Sequence, residues 1–272
     1  MYKVILLNFL ILISSFSWAQ DSARNQIEQF DLTYYHPENF GLRDLTFEIR
    51  IENLLEQLNA NKTLGKLEDV YFKIFWIFPG QYHIEVNGLP NGFNEIKQQL
   101  RNLIKPRLDF VIPQKLLDGV RSYDLSMSKS GNVNIVKAED KTHTRQVNEI
   151  QLKFEENGKM IEYKTSSPVG VSTTTFEQSK KNWSHNKWVA DKIIVESIQG
   201  IQIGKVISSI TYLNEGGFGL PEKVEIVTKH EIVAPEKDKK VRKNIAEDKI
   251  IYKFSKYMVN TGSAKKEILK GQ

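Results

Sequence analysis

The chain is expected to fold as a mainly β protein of the α+β type, with a strongly curved antiparallel sheet or unclosed β-barrel under a helical lid. Three observations predict this. Apolar and polar residues alternate over many short segments separated by turn-forming residues. One segment near residue 100 instead repeats its apolar residues at helical spacing. The 272 residues include no cysteine, so a compact core, not covalent staples, must hold the fold together. Strand–turn–strand order favours antiparallel neighbours, and the helix implies that one face of the sheet is covered by helix. A two-sheet sandwich is the alternative, because alternation alone does not say which strands are neighbours.

The first 19 residues stand apart. Lys3 precedes an apolar run from Val4 to Ile13 broken only by Asn8, and Ser17-Trp18-Ala19 places small residues at the −3 and −1 positions of a cut before Gln20. The run is about half the roughly 20 residues a membrane-spanning helix needs. Residues 1–19 therefore read as a cleavable signal peptide, residues 20–272 as one β-rich domain, and the address as a bacterial periplasm. After that leader no apolar run exceeds Ile74 to Phe78, so no transmembrane span is expected in the mature chain.

Asp44 to Ile51 alternates without a miss, with Leu45, Phe47, Ile49 and Ile51 on one face, which predicts a half-buried strand. Asn53 and Glu56 have the capping-box spacing before Leu54, Leu55 and Leu58, predicting a short helical turn. Val70, Phe72, Ile74, Trp76 and Phe78 then share a face, Pro79-Gly80 turns the chain, and Tyr82, Ile84 and Val86 return as a hairpin. Its far end, Phe75 to Phe78, is apolar on both sides and needs a cover. The candidate cover is the amphipathic helix bearing Phe93, Ile96, Leu100, Leu103 and Ile104, stopped by Pro106.

Further strands are predicted around 123–127, 133–136, 150–154, 160–163, 169–176, 188–197, 203–213, 224–233 and 249–259, about twelve in all. Ser130-Gly131-Asn132 and Glu156-Asn157-Gly158 serve as hairpin turns, and Gly216 to Pro221 as a wider one.

Charge and motifs exclude more than they assign. Positive and negative side chains number 38 and 33, too even a balance for a nucleic-acid binder. The dense basic stretch Lys237 to Lys243 lacks aromatic residues for base stacking and reads as a solvated loop between strands. His83 and Glu85 share a strand face but suggest no third metal ligand. Gly170-Val171-Ser172 is no nucleophile elbow, and Gly216-Gly217-Phe218-Gly219 lacks the lysine of a phosphate-binding loop. Glu155-Glu156 and Glu247-Asp248 flank turns, where solvation explains them. No catalytic residue, metal or cofactor is expected.

The aromatic density of the early strands points to a concave apolar face. The expected cavity residues are Phe47, Ile49, Phe72, Ile74, Trp76, Tyr82, Ile84 and Val86 on the sheet, with Ile96 and Leu100 on the helix. Two patches carry a family resemblance: Gly65-Lys66-Leu67-Glu68-Asp69-Val70-Tyr71-Phe72-Lys73 running into Phe78-Pro79-Gly80-Gln81-Tyr82, and the closing Ile251 to Gly262. Together they resemble the periplasmic lipoprotein-carrier family typified by LolA. The resemblance implies an unclosed antiparallel barrel with helices over an apolar cavity, and a lipid, acyl chain or lipoprotein as cargo. The chain departs from the pattern where Ile77-Phe78 replaces the usual basic residue before the turn. The expected function is thus a non-catalytic periplasmic carrier or sensor of a hydrophobic ligand. The alternative is an envelope structural or interaction protein with a solid core, meeting a partner protein through Phe75 and Ile77; an exported hydrolase is the third reading.

Overall fold

A computed structural model describes residues 20–60, 64–236 and 239–270. The predicted signal peptide lies outside the described residues. Among the described residues twelve strands form one antiparallel sheet in the order β3-β2-β1-β12-β11-β10-β9-β8-β7-β6-β5-β4. They are β1 (Asp44–Ile51), β2 (Tyr71–Ile77), β3 (Gln81–Asn87), β4 (Asp124–Ser130), β5 (Val133–Glu139), β6 (Glu149–Glu155), β7 (Met160–Ser167), β8 (Gly170–Lys180), β9 (Trp188–Gln199), β10 (Gln202–Glu215), β11 (Phe218–Glu236) and β12 (Lys239–Val259). Strands β3 and β4 stand at opposite edges, so the sheet is unclosed, as expected, and a single sheet replaces the sandwich. Every connection but one joins adjacent strands; the exception runs from β3 at one edge to β4 at the other, and the last strand, β12, pairs with the first, β1.

Among the described residues five helices accompany the sheet: α1 (residues 20–33), α2 (Leu54–Asn59), α3 (Asn94–Ile104), α4 (Leu116–Val120) and α5 (Ser263–Lys270). None is long and apolar enough to cross a membrane. They divide the inner face into two cores. Over the β3-to-β10 half, Leu45, Phe47 and Ile49 meet Trp76, Ile74 and Phe72 directly across the ladder, and Leu100 and Ile104 of α3 pack on this layer. Over the β4-to-β7 half, Ala23, Ile27 and Phe30 of α1 lie on Val136, Leu152 and Phe154. The cores meet near Phe176 and Ile193, which face each other across β8 and β9 and flank one core each.

The structure departs from the sequence expectations at four places. Helix α1 has no counterpart in the sequence expectations, although Ala23, Ile27 and Phe30 have helical spacing and are all buried. Helix α3 covers only the inner face of the β2–β3 hairpin. The outer cover is α5, beneath which Phe75 is 4% exposed, so Phe75 is not available to a partner. Asn53 does precede α2, but in the left-handed region (φ 64°) with no side-chain cap bond. The basic stretch is not a loop: residues 239–243 belong to β12, and residues 237 and 238 lie outside the described residues.

Candidate functional site

The long stretch between β3 and β4 returns toward the end of the β2–β3 hairpin, and there it meets the segment that follows α1. After α1, Tyr34 bridges to Trp188 and the Tyr35 N–H donates to the Trp188 carbonyl at 2.9 Å, tying this segment to the start of β9. Pro37–Phe40 then forms a 3-10 turn, as proline at its first position favours. Lys105–Phe110 forms another, because Pro106 prevents α3 from continuing.

His36 joins the two segments. It is fully buried, and its Nδ1 lies 3.0 Å from the Pro113 carbonyl, which can only accept, so Nδ1 carries the proton. Nδ1 is also 3.7 Å from Glu38 Oε1. Asp31 makes the second tie: its carboxylate accepts the Leu116 and Leu117 N–H groups at 2.8 and 3.0 Å, capping α4 from the end of α1. Burial pushes the Asp31 carboxyl above its ordinary value despite those two bonds, which pull the other way. Tyr35, also buried, accepts the Gly219 N–H at 3.1 Å, and its hydroxyl pKa is pushed up to about 12, chiefly by burial.

Between these segments and the hairpin turn lies a groove of about 590 Å³. Trp76 and Tyr82, a cross-strand pair, form its sheet wall with Phe78 and Pro79; Leu108, Ile112 and Pro113 form the opposite wall. Phe78 and Tyr82 are 48% and 40% exposed, unusual for large apolar side chains set side by side. A second groove of about 750 Å³ adjoins the first, sharing Glu38, Phe78 and Lys115, and adds Leu32, Phe40 and Leu117. Arg43 positions the shared wall: its carbonyl accepts the Phe78 N–H at 2.9 Å, and its guanidinium sits 4.5 Å from the Phe78 ring centre. Lys105, Lys115, Asp109 and Asp118 line the first groove alongside these apolar walls. Glu38 Oε2 is buried in the same place with no hydrogen-bond partner among the described residues.

The predicted cavity residues fall into two groups. Phe47, Ile49, Phe72, Ile74, Ile84, Val86 and Leu100 are at most 8% exposed and pack together, with half-buried Ile96 at their margin. Only Trp76 and Tyr82 line the groove. Sequence reasoning missed the other wall, since residues 105–118 carry scattered Leu108, Ile112 and Leu117 with no strong period. His83 lies on the outer face, stacked 6.2 Å from Phe75, and no metal-holding cluster occurs among the described residues.

No family model matches the chain, and no curated protein or solved structure is similar to it.

Proposed function

We propose that this protein is an exported, non-catalytic carrier or sensor that holds a hydrophobic ligand in the paired groove between the end of the β2–β3 hairpin and the segments that follow α1 and α3. The observation that carries the reading is the pairing of exposed Phe78 and Tyr82 with Trp76, Leu108 and Ile112 around about 590 Å³ of concave surface, the size of small-molecule sites. Affinity would come from burial: each CH₂ removed from water contributes about 0.8 kcal/mol, offset by the cost of ordering the chain. A hydroxyl or amide N–H on the ligand would find its acceptor in the carboxylate of Glu38, whose Oε2 has no donor among the described residues. An acyl chain with a polar head fits this combination, and so does the lipidated terminus of a lipoprotein, the cargo implied by the family resemblance.

The test is mass spectrometry of organic extracts from natively purified protein, with Phe78→Asp as the control. Phe78 is half exposed, so its replacement should leave the thermal transition close to that of the parent. The expected result is a lipid stoichiometric with the parent and lost from the variant. A clean extract from the parent, or equal lipid in both, would overturn the reading.

A further inference from the structure

The charges around the paired groove bear on the head of its ligand. Five carboxylates and four cationic side chains line the two grooves together. Most of them are already engaged within the protein. Asp31 caps α4, Glu28 lies 3.8 Å from Arg24, and Asp109 accepts the Gln114 amide at 3.2 Å. Lys187 donates to the Leu32 carbonyl at 2.7 Å, and Arg43 to the Glu38 carbonyl at 2.6 Å. Lys105, Lys115 and Asp118 make no hydrogen bond or ion pair among the described residues, and Glu38 Oε2 has no donor. Of these groups, Glu38 and Lys115 line both grooves, together with Phe78.

The backbone that carries this pair is tied down, while the side chains are not spent on the fold. Lys115 follows Pro113 by two residues, whose carbonyl accepts His36 Nδ1–H at 3.0 Å, and precedes Leu116, whose N–H donates to Asp31 at 2.8 Å. Glu38 sits in the Pro37–Phe40 turn, with its own carbonyl held by Arg43 and by the Gly41 N–H. Its side chain is 12% exposed, and the one cationic candidate beside it, His36 Nδ1 at 3.7 Å, directs its proton to Pro113. Glu38 and Lys115 form no ion pair with each other. One buried acceptor and one ammonium are thus held ready at the junction of two apolar grooves. A purely anionic head would meet the five carboxylates and a purely cationic head the four cations, whereas a head bearing both charges satisfies each.

We infer that the ligand's head is zwitterionic, a primary ammonium donating to the Glu38 carboxylate and a phosphate resting on Lys115, with an acyl chain along Phe78, Tyr82 and Leu108. This rests on the reading of the groove as a hydrophobic-ligand site. The ammonium must be primary, because a quaternary one has no N–H for the orphan oxygen.

Calorimetric titration of monoacyl lipids that share one chain, each kept below its micelle concentration, tests this. The heads are phosphoethanolamine, phosphocholine, phosphoglycerol and uncharged glycerol. The phosphoethanolamine lipid is expected to bind the parent about tenfold more tightly than the other three. Glu38→Gln should remove its advantage over the phosphoglycerol lipid and leave the latter's affinity unchanged. Lys115→Met, at an exposed position, should weaken all three phosphate lipids by at least about threefold and spare the glycerol lipid. Both variants should melt like the parent, since neither side chain is bonded within the fold. Equal affinity for all four heads, or a preference that survives both substitutions, would overturn the zwitterionic head and leave the hydrophobic groove standing. Tightest binding of the phosphocholine lipid would overturn the N–H contact to Glu38. Failure of every lipid to bind would overturn the groove reading and this inference together. Soluble phosphoethanolamine should not compete; competition at the lipid's own concentration would overturn the assignment of an amphiphile.

Discussion

Two buried aspartates hold distant pieces of chain by the same chemistry. Asp31 accepts the first N–H groups of α4, and Asp44 accepts those of Gly262 and Lys265 at 3.0 and 2.8 Å at the start of α5. Each carboxylate satisfies donors that a helix start leaves open. Asp31→Ala is expected to cost about 1–2 kcal/mol in a urea titration. Its pH dependence has a definite sign. With the folded-state pKa raised above the unfolded 3.8, the native state holds the proton more tightly, so the contribution of Asp31 is fully present below that value and is lost as pH rises through the folded pKa. Asp31→Asn cannot ionise, so its stability relative to the parent should improve as pH is raised from about 4 to 7; a gap that stays constant or widens against the variant would refute burial as the dominant effect. Gly219 shows a different constraint. A Cβ there would lie 2.0 Å from the Trp183 ring, so Gly219→Ala should cost about 1–3 kcal/mol by denaturation, with altered tryptophan fluorescence. Neither the caps nor this contact was legible in the sequence, because each pairs residues dozens to hundreds of positions apart.

At the scale of the element, the β2–β3 hairpin shows how far pattern reaches. Its strands, turn and inward face follow from alternation and Pro79-Gly80, and the ladder sets Ile74 opposite Ile84 and Phe72 opposite Val86 on that face. The cover of its outer face did not, because α5 is a short helix whose apolar face is little more than Ala264, Ile268 and Leu269. Phe75→Ala is therefore expected to cost about 3–5 kcal/mol, the figure for a buried phenylalanine, and much less in a chain ending at Gly262; a double-mutant cycle by urea unfolding checks the coupling. The β11–β12 arm makes the converse case. Residues 242–250 are exposed and have one neighbouring strand, whereas Tyr252 and Phe254 are buried between β1 and β11. Hydrogen exchange should accordingly be much faster across 242–250 than across 252–258.

Across the whole molecule, one sheet serves two cores. Its edges are treated differently: Arg101 of α3 donates Nε to the Ile84 carbonyl at 3.1 Å and so occupies the β3 edge, while β4 is short and bears exposed serines and Lys129. Because strands β8 to β10 run unbroken between the cores and Phe176 faces Ile193, the halves should unfold together. Phe154→Ala in one core and Phe72→Ala in the other are expected to shift the same single calorimetric transition downward, each by about 3–5 kcal/mol; two separated transitions would show that the halves are independent.

The sequence by itself determined the β class, the hairpin near residue 80 and the helix near 100, since those depend on periods of two and of 3.6 residues within one short segment. It also determined which early side chains turn inward. Only the tertiary structure decided that seven of those side chains close on one another as core while Trp76 and Tyr82 remain to line a groove. The cause is that residues 31–43 and 105–118, joined through His36 and Asp31, meet the hairpin end, and the packing of irregular segments depends on partners that no local period encodes.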